Sequence, residues 1–257
     1  VPGVVIAHGF AGSKQLMLGY ATTLAHAGYA TLLFDFNGHG ANPAPLDRDS
    51  LGRNIAVATA QLVSQPEVDA GRLALIGHSM GSSAVMTAGI GELGRYSAVV
   101  AISPTSANVR PDAPANLLLM AGSLEPRFVA NAESLLGQAG GAGDDFAGRR
   151  ARGLLVVPNA EHITILFRPQ SHHPALDWIG RAFGTATTTT YTDTRIVWYG
   201  LHLVGWLLAV LGLAPVLRSG LGSLNATPTR RRIAGLLLGG AVATAVVGLL
   251  ARFTPLS

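Results

Sequence analysis

The stretch "LALIGHSMGSSAV", Leu73–Val85, decides how the rest of the chain is read. Gly77-His78-Ser79-Met80-Gly81 fits G-x-S-x-G, a pattern that places a serine on a sharp turn between a strand and a helix. With 32 glycines in 257 residues the match alone carries little weight. Its context carries more. Leu73–Ile76 is a short apolar run that predicts a buried strand, and from Ser82 onward the small and apolar residues predict a helix. Gly77 and Gly81 leave room where a Cβ would collide.

Working outward, five further runs share the character of Leu73–Ile76: Val4–Ala7, Ala30–Phe34, Ala98–Ile102, Leu117–Met120 and Leu154–Val157. Each is too short for a helix, does not alternate, and is bounded by Gly, Pro, Asn or Asp, as strands buried on both faces are. Helical patterns lie between them, over Leu16–Ala27, Asp49–Ser64, Ser82–Gly91, Arg127–Leu136 and Pro174–Phe183. Alternating strands and helices predict an α/β domain over residues 1–183, with a mostly parallel sheet and helices on both faces.

Hydropathy then changes. Gly184–Thr194, "GTATTTTYTDT", opens a threonine-rich linker over 184–195. Ile196–Leu217 and Ile233–Ala251 follow, two runs without Asp, Glu, Lys or Arg, each about long enough for a bilayer core. They predict an all-α transmembrane hairpin over 196–257, and the mean hydropathy of +0.38 agrees. Trp198 and Tyr199 suit an interfacial position, and His202 is the ionisable group within the first run. Arg218 and Arg230–Arg232 between the runs place that loop in the cytoplasm, which puts the α/β domain outside it. The net charge of +4 therefore speaks for membrane topology rather than nucleic acid, and no nucleic-acid partner is expected. The chain opens on Val1 inside a strand-like run, so a truncated N-terminus is expected.

Beyond the elbow, the chain resembles the α/β-hydrolase superfamily over about residues 3–183. "VVIAHGFAGSK", Val4–Lys14, is similar to the family's His-Gly loop, and "FDFNGHGAN", Phe34–Asn42, to its Asp-x-x-Gly-His-Gly segment. The resemblance implies Ser79 as nucleophile, and backbone N–H groups of Phe10 and Met80 as an oxyanion hole. Asp35, His39, His8 and His78 are then residues that shape loops. The two strands that usually open the fold are absent from the chain as given. In the family's order of serine, acid, histidine, "LLLMAGSLEP" offers Glu125 as the acid and "LLVVPNAEHITIL" offers His162 as the base. Asp144, Asp145 and Glu161 compete for the acid. His172 and His173, at a predicted helix start on the surface, compete for the base, and His26 is expected on an ordinary helix.

With no cysteine, no H-E-x-x-H and scattered histidines, neither a metal nor a cofactor is expected. Only about fourteen residues separate Ile102 from Leu117, too few for a helical cap. The resemblance thus implies an uncapped, membrane-anchored serine hydrolase acting on a small-molecule or short-peptide acyl substrate, an ester first. A peptidase or acyltransferase of the same fold, or a membrane-anchored binding protein with a hydrolase-like domain, are the alternatives.

Overall fold

The computed structural model describes residues 1–185 and 189–220, the side chains of Arg48 and of residues 211–220 apart. Six strands form one sheet in the order β2-β1-β3-β4-β5-β6. They are β1 (Pro2–Ala7), β2 (Ala30–Leu33), β3 (Asp69–His78), β4 (Tyr96–Ile102), β5 (Leu117–Gly122) and β6 (Arg152–Val157), and every neighbouring pair is parallel. Each apolar run expected to be a strand is one.

Strand period puts successive side chains on opposite faces, and apolar residues fill both. Val4, Ile6, Ala74, Ile76, Val100 and Met120 pack on one face beneath α1 (Leu18–His26) and α5 (Pro169–Ala182). Val5, Leu73, Leu75, Val99, Ala101 and Leu119 pack on the other, beneath α2 (Leu51–Val63), α3 (Met80–Gly91) and α4 (Pro126–Gln138). The direction of winding reverses between β1 and β3, so their carboxyl ends diverge and leave a crevice there. The loops carrying Phe10 and Ser79 leave the sheet at that crevice.

Every helix start differs from expectation by one to five residues, and two of the shifts have a local cause. α3 begins at Met80, directly after Ser79, because the elbow turns the chain within one residue. α5 begins at Pro169 rather than Pro174. Proline at the first helical position gives up no intrahelical bond, so the earlier proline starts the helix and Pro174 lies inside it. His172 consequently falls in the first turn and is buried against Tyr20, with ring centroids 4.6 Å apart, instead of lying on the surface. His173 is half-buried.

The first compact unit runs on to Ile196. Within it the end of the threonine-rich stretch lies against α1: Tyr191 stacks on His26 at 4.1 Å, and buried Asp193 accepts from Arg195. In the second unit, α6 (Arg195–Gly220) carries the first run expected to cross a membrane. Trp198, Tyr199, Leu203, Trp206 and Leu208 are all more than half exposed, so the apolar surface goes round the helix. Among the described residues, no helix is long and apolar enough to cross a membrane. That does not support the expected pair of spans, and the second run, 233–251, lies outside the described residues.

At the amino end of the sheet, far from the elbow, Asn116 ties four segments together. Its side chain donates to Ser97 O at 2.9 Å and accepts from Ala151 N at 3.1 Å, while its own carbonyl accepts from Trp178 Nε1 at 2.7 Å and Val99 N at 3.3 Å. Asn116→Ala takes its partner from the buried Ala151 N–H and from the half-buried Ser97 carbonyl. Urea unfolding should show a loss of about 3 kcal/mol.

Candidate active site

Ser79 follows β3 with φ 52° and ψ −117°, a strained backbone for a residue with a side chain. Close packing imposes it. A Cβ on Gly77 would lie 2.3 Å from Gly81 O, and one on Gly81 would lie 2.5 Å from His8 O. Only glycines let α3 start this close to the ends of β1 and β3. The strained peptide is held from several sides: Ser79 N donates to Ile102 O at 2.9 Å, and Ser79 O accepts from Ser82 Oγ at 2.5 Å and Thr105 Oγ1 at 3.2 Å.

The structure brings Ser79, His162 and Glu125 together. Ser79 Oγ lies 3.1 Å from His162 Nε2, and His162 Nδ1 lies 2.7 Å from Glu125 Oε2. A carboxylate only accepts, so Nδ1 carries the proton and Nε2 presents a lone pair to the serine hydroxyl. Glu125 is buried, and its second oxygen accepts from Ser103 Oγ at 2.9 Å and from Gly122 N at 2.7 Å. Both oxygens are thereby engaged and the carboxylate has one orientation.

The rival residues lie elsewhere. Glu161 turns its carboxylate back to Ile163 N and Thr164 N, bonds that hold it below the usual carboxylate range. Asp144 is exposed and pairs with Arg181, and Asp145 is exposed and closes its own loop by accepting from Gly148 N. His172 Nε2 donates to Leu166 O at 2.8 Å, and burial pushes its pKa down.

Phe10 and Met80 border the same cleft as Ser79, together with Leu51, Ser83 and Thr105, in a volume of about 460 Å³. Met80 opens α3, so its N–H has no acceptor within the helix. A Cβ on Gly9 would lie 3.1 Å from Ser79 Cβ, which sets the Gly9–Phe10 backbone beside the serine. His8 fixes that backbone: Phe36 N donates to its Nε2 at 3.1 Å, so its Nδ1–H is the donor to Gly9 O at 2.7 Å. Burial lowers the pKa of His8 and favours this neutral form. Asp35 pins the neighbouring loop. Burial opposes its charge, but bonds from Lys14 N and Ala41 N and the Lys14 ammonium hold its pKa below the ordinary value.

Sequence reasoning missed Ser103, Thr105, Ser82 and Phe128. Ser103 follows β4 and is adjacent to the end of β5, where Ser103 N donates to Met120 O, so a strand register would have found it. Phe128 stacks on His162 with centroids 4.5 Å apart, a contact that no local pattern announces. Among the described residues no group of three or more metal-ligating side chains gathers at one place.

Residues 2–138, more than half of the chain, match the family described as "Serine aminopeptidase, S33". The chain belongs to this family. Its fold is that of the α/β-hydrolases, and the matched segment holds Ser79 and Glu125 but ends before His162. Solved structures similar to this family member include a dienelactone hydrolase from Anabaena variabilis, with 21% identity, TM-score 0.54, 73% of this chain and 88% of that one covered. A monoacylglycerol lipase from Paleococcus ferrophilus has 15% identity and TM-score 0.54, with 70% and 94% covered. Identities this low speak for the fold alone. An uncharacterized protein recorded in two strains of Mycobacterium tuberculosis is 33% identical over 82 residues, 32% of this chain. That match spans 29% of the relative's length.

The buried imidazoles give stability a pH dependence. Burial pushes His78 down from 6.5 to about 4, with the nearby His162 adding to the effect. Between those values the unfolded chain binds the extra proton, so stability is present above pH 6.5 and is lost as pH falls toward 4. The gap corresponds to on the order of 3 kcal/mol. Urea unfolding from pH 7 to 4.5 should show this loss, and His78→Gln should flatten the slope.

Proposed function

We propose that this chain is a serine hydrolase that cleaves carboxylic esters through an acyl-enzyme. The observation that carries the reading is the continuous hydrogen-bonded line from Ser79 Oγ through His162 to Glu125. His162 Nε2 takes the proton of Ser79 as Oγ attacks the acyl carbon. The carbonyl oxygen gains negative charge and is held by the Phe10 and Met80 amides. The tetrahedral intermediate collapses, the acyl–oxygen bond breaks, and His162 returns the proton to the departing alkoxide. Water, deprotonated by the same imidazole, then releases the acid and regenerates Ser79. Glu125 keeps the imidazole in its tautomer and stabilises the imidazolium.

The residues bordering the cleft favour an ester of an uncharged acid over the aminopeptidase activity in the family's description. Phe10, Leu51, Met80, Ser83 and Thr105 include no carboxylate to receive a substrate α-ammonium. The α-ammonium of an amino-acyl substrate would meet water there and gain no ion pair from these residues. Residues 103–116 form no helix over the site, in keeping with an accessible substrate.

A fluorophosphonate probe tests the nucleophile. Wild type should label, Ser79→Ala should not, and His162→Ala should label on the order of a thousandfold more slowly. A folded wild type that resists the probe excludes the acyl-enzyme.

The same reading includes a membrane anchor at the C-terminal side, with the hydrolase domain extracytoplasmic. Its support is the pair of charge-free runs, 196–217 and 233–251, and the apolar surface around α6. After alkaline carbonate extraction the expressed chain should stay in the membrane pellet, and a version ending at residue 196 should move to the supernatant. Release of the whole chain overturns the anchor.

A further inference from the structure

The two hydrogen bonds of His162 leave one motion free. Nδ1 and Nε2 are held in the plane of the ring, but the imidazole can still rock about the line joining them. Contact with the ring's face is what stops such a motion. Phe128 supplies it, from the first turn of α4, with ring planes 21° apart.

A second contact fixes the backbone. His162 lies in the irregular segment between β6 and α5, and no strand or helix holds its carbonyl. His78 does, its Nε2–H donating to His162 O at 2.9 Å, and its ring lies 4.6 Å from the His162 ring. His78 directly precedes Ser79, so this bond ties the loop carrying the base to the residue next to the nucleophile. The ring is 2 % exposed, and its Nδ1 has no partner and lies where a Cβ on Gly9 would come within 2.8 Å. With Nε2 donating, Nδ1 is the bare lone pair of a neutral imidazole. A neutral ring here does not repel the charge that His162 acquires, and the π-face of Phe128 attracts it.

We propose that His78 and Phe128 are positioning residues for proton transfer between Ser79 and His162. His78 sets the base's main chain in register with the nucleophile, and Phe128 sets the plane of its ring. This rests on the reading of His162 as the base. The proton moves from Ser79 Oγ to His162 Nε2 and back to the leaving group, and neither positioning residue gains or loses one.

The test compares Phe128→Leu, Phe128→Tyr, His78→Leu and His78→Gln in the full chain. p-Nitrophenyl butyrate hydrolysis gives kcat and KM. A low-field proton NMR resonance from the His162 Nδ1–H···Glu125 bond, identified by its loss in His162→Ala, reports ring placement without any turnover. The leucine variants should lower kcat on the order of tenfold to a hundredfold with KM within about twofold, and should lose the resonance. Tyrosine at 128 keeps the ring and glutamine at 78 keeps an N–H donor, so both should recover most of each signal.

The resonance decides where the two readouts disagree. Its persistence unchanged in both leucine variants overturns the proposal, whatever happens to kcat. A wild type that shows the resonance but no turnover defeats ester hydrolysis, while loss of the resonance in the leucine variants still upholds positioning. Should His78→Leu not fold, Phe128→Leu, at a half-buried position, decides alone.

Discussion

The closeness of α3 to the ends of β1 and β3 is the constraint on which the site depends. A helix that starts one residue after a strand has no loop in which to dissipate the change of direction, so the turn concentrates on Ser79. A left-handed conformation of this kind costs about 1–3 kcal/mol. Tight packing of Gly77 against Gly81, and of Gly81 against the His8 carbonyl, leaves the chain no other path. The same closeness aims the first amide of α3 and the hydroxyl of Ser79 into one cleft. Strain, orientation and exposure of the serine share one cause.

Around that turn the histidines divide by surroundings. His8 and His78 are buried, neutral and committed to backbone partners, one holding the Gly9 carbonyl and the other the His162 carbonyl. His162 reaches the cleft, bonded to a hydroxyl on one side and a carboxylate on the other. Three imidazoles near one another would repel if all carried protons. Burial keeps His8 and His78 uncharged, so neither adds charge beside the third.

What the sequence made legible follows from the range of the forces involved. The strands announced themselves because a parallel strand buried on both faces must be apolar along its length, as Val4–Ala7 and Leu117–Met120 are. Ser79 was legible because its turn needs glycines at fixed offsets. Glu125 and His162 were reached through the family resemblance, which looks for an acid and a histidine in the loops after β5 and β6. Pro174 misled because two prolines compete to start α5 and only packing selects Pro169. His172 misled for the same reason, its burial depending on Tyr20 from a helix some 150 residues earlier in the chain. Ser103 and Phe128 left no local trace, because their partners arrive only when neighbouring strands and loops are assembled.

The short, helix-free passage from Ser103 to Asn116 leaves the cleft in contact with bulk solvent. An acyl group carried on Ser79, as the proposed mechanism has it, would therefore meet water at its full concentration. Partition of such an intermediate is then a matter of mass action. Under the proposed acyl-enzyme mechanism, it favours release of the free acid over transfer to another acceptor.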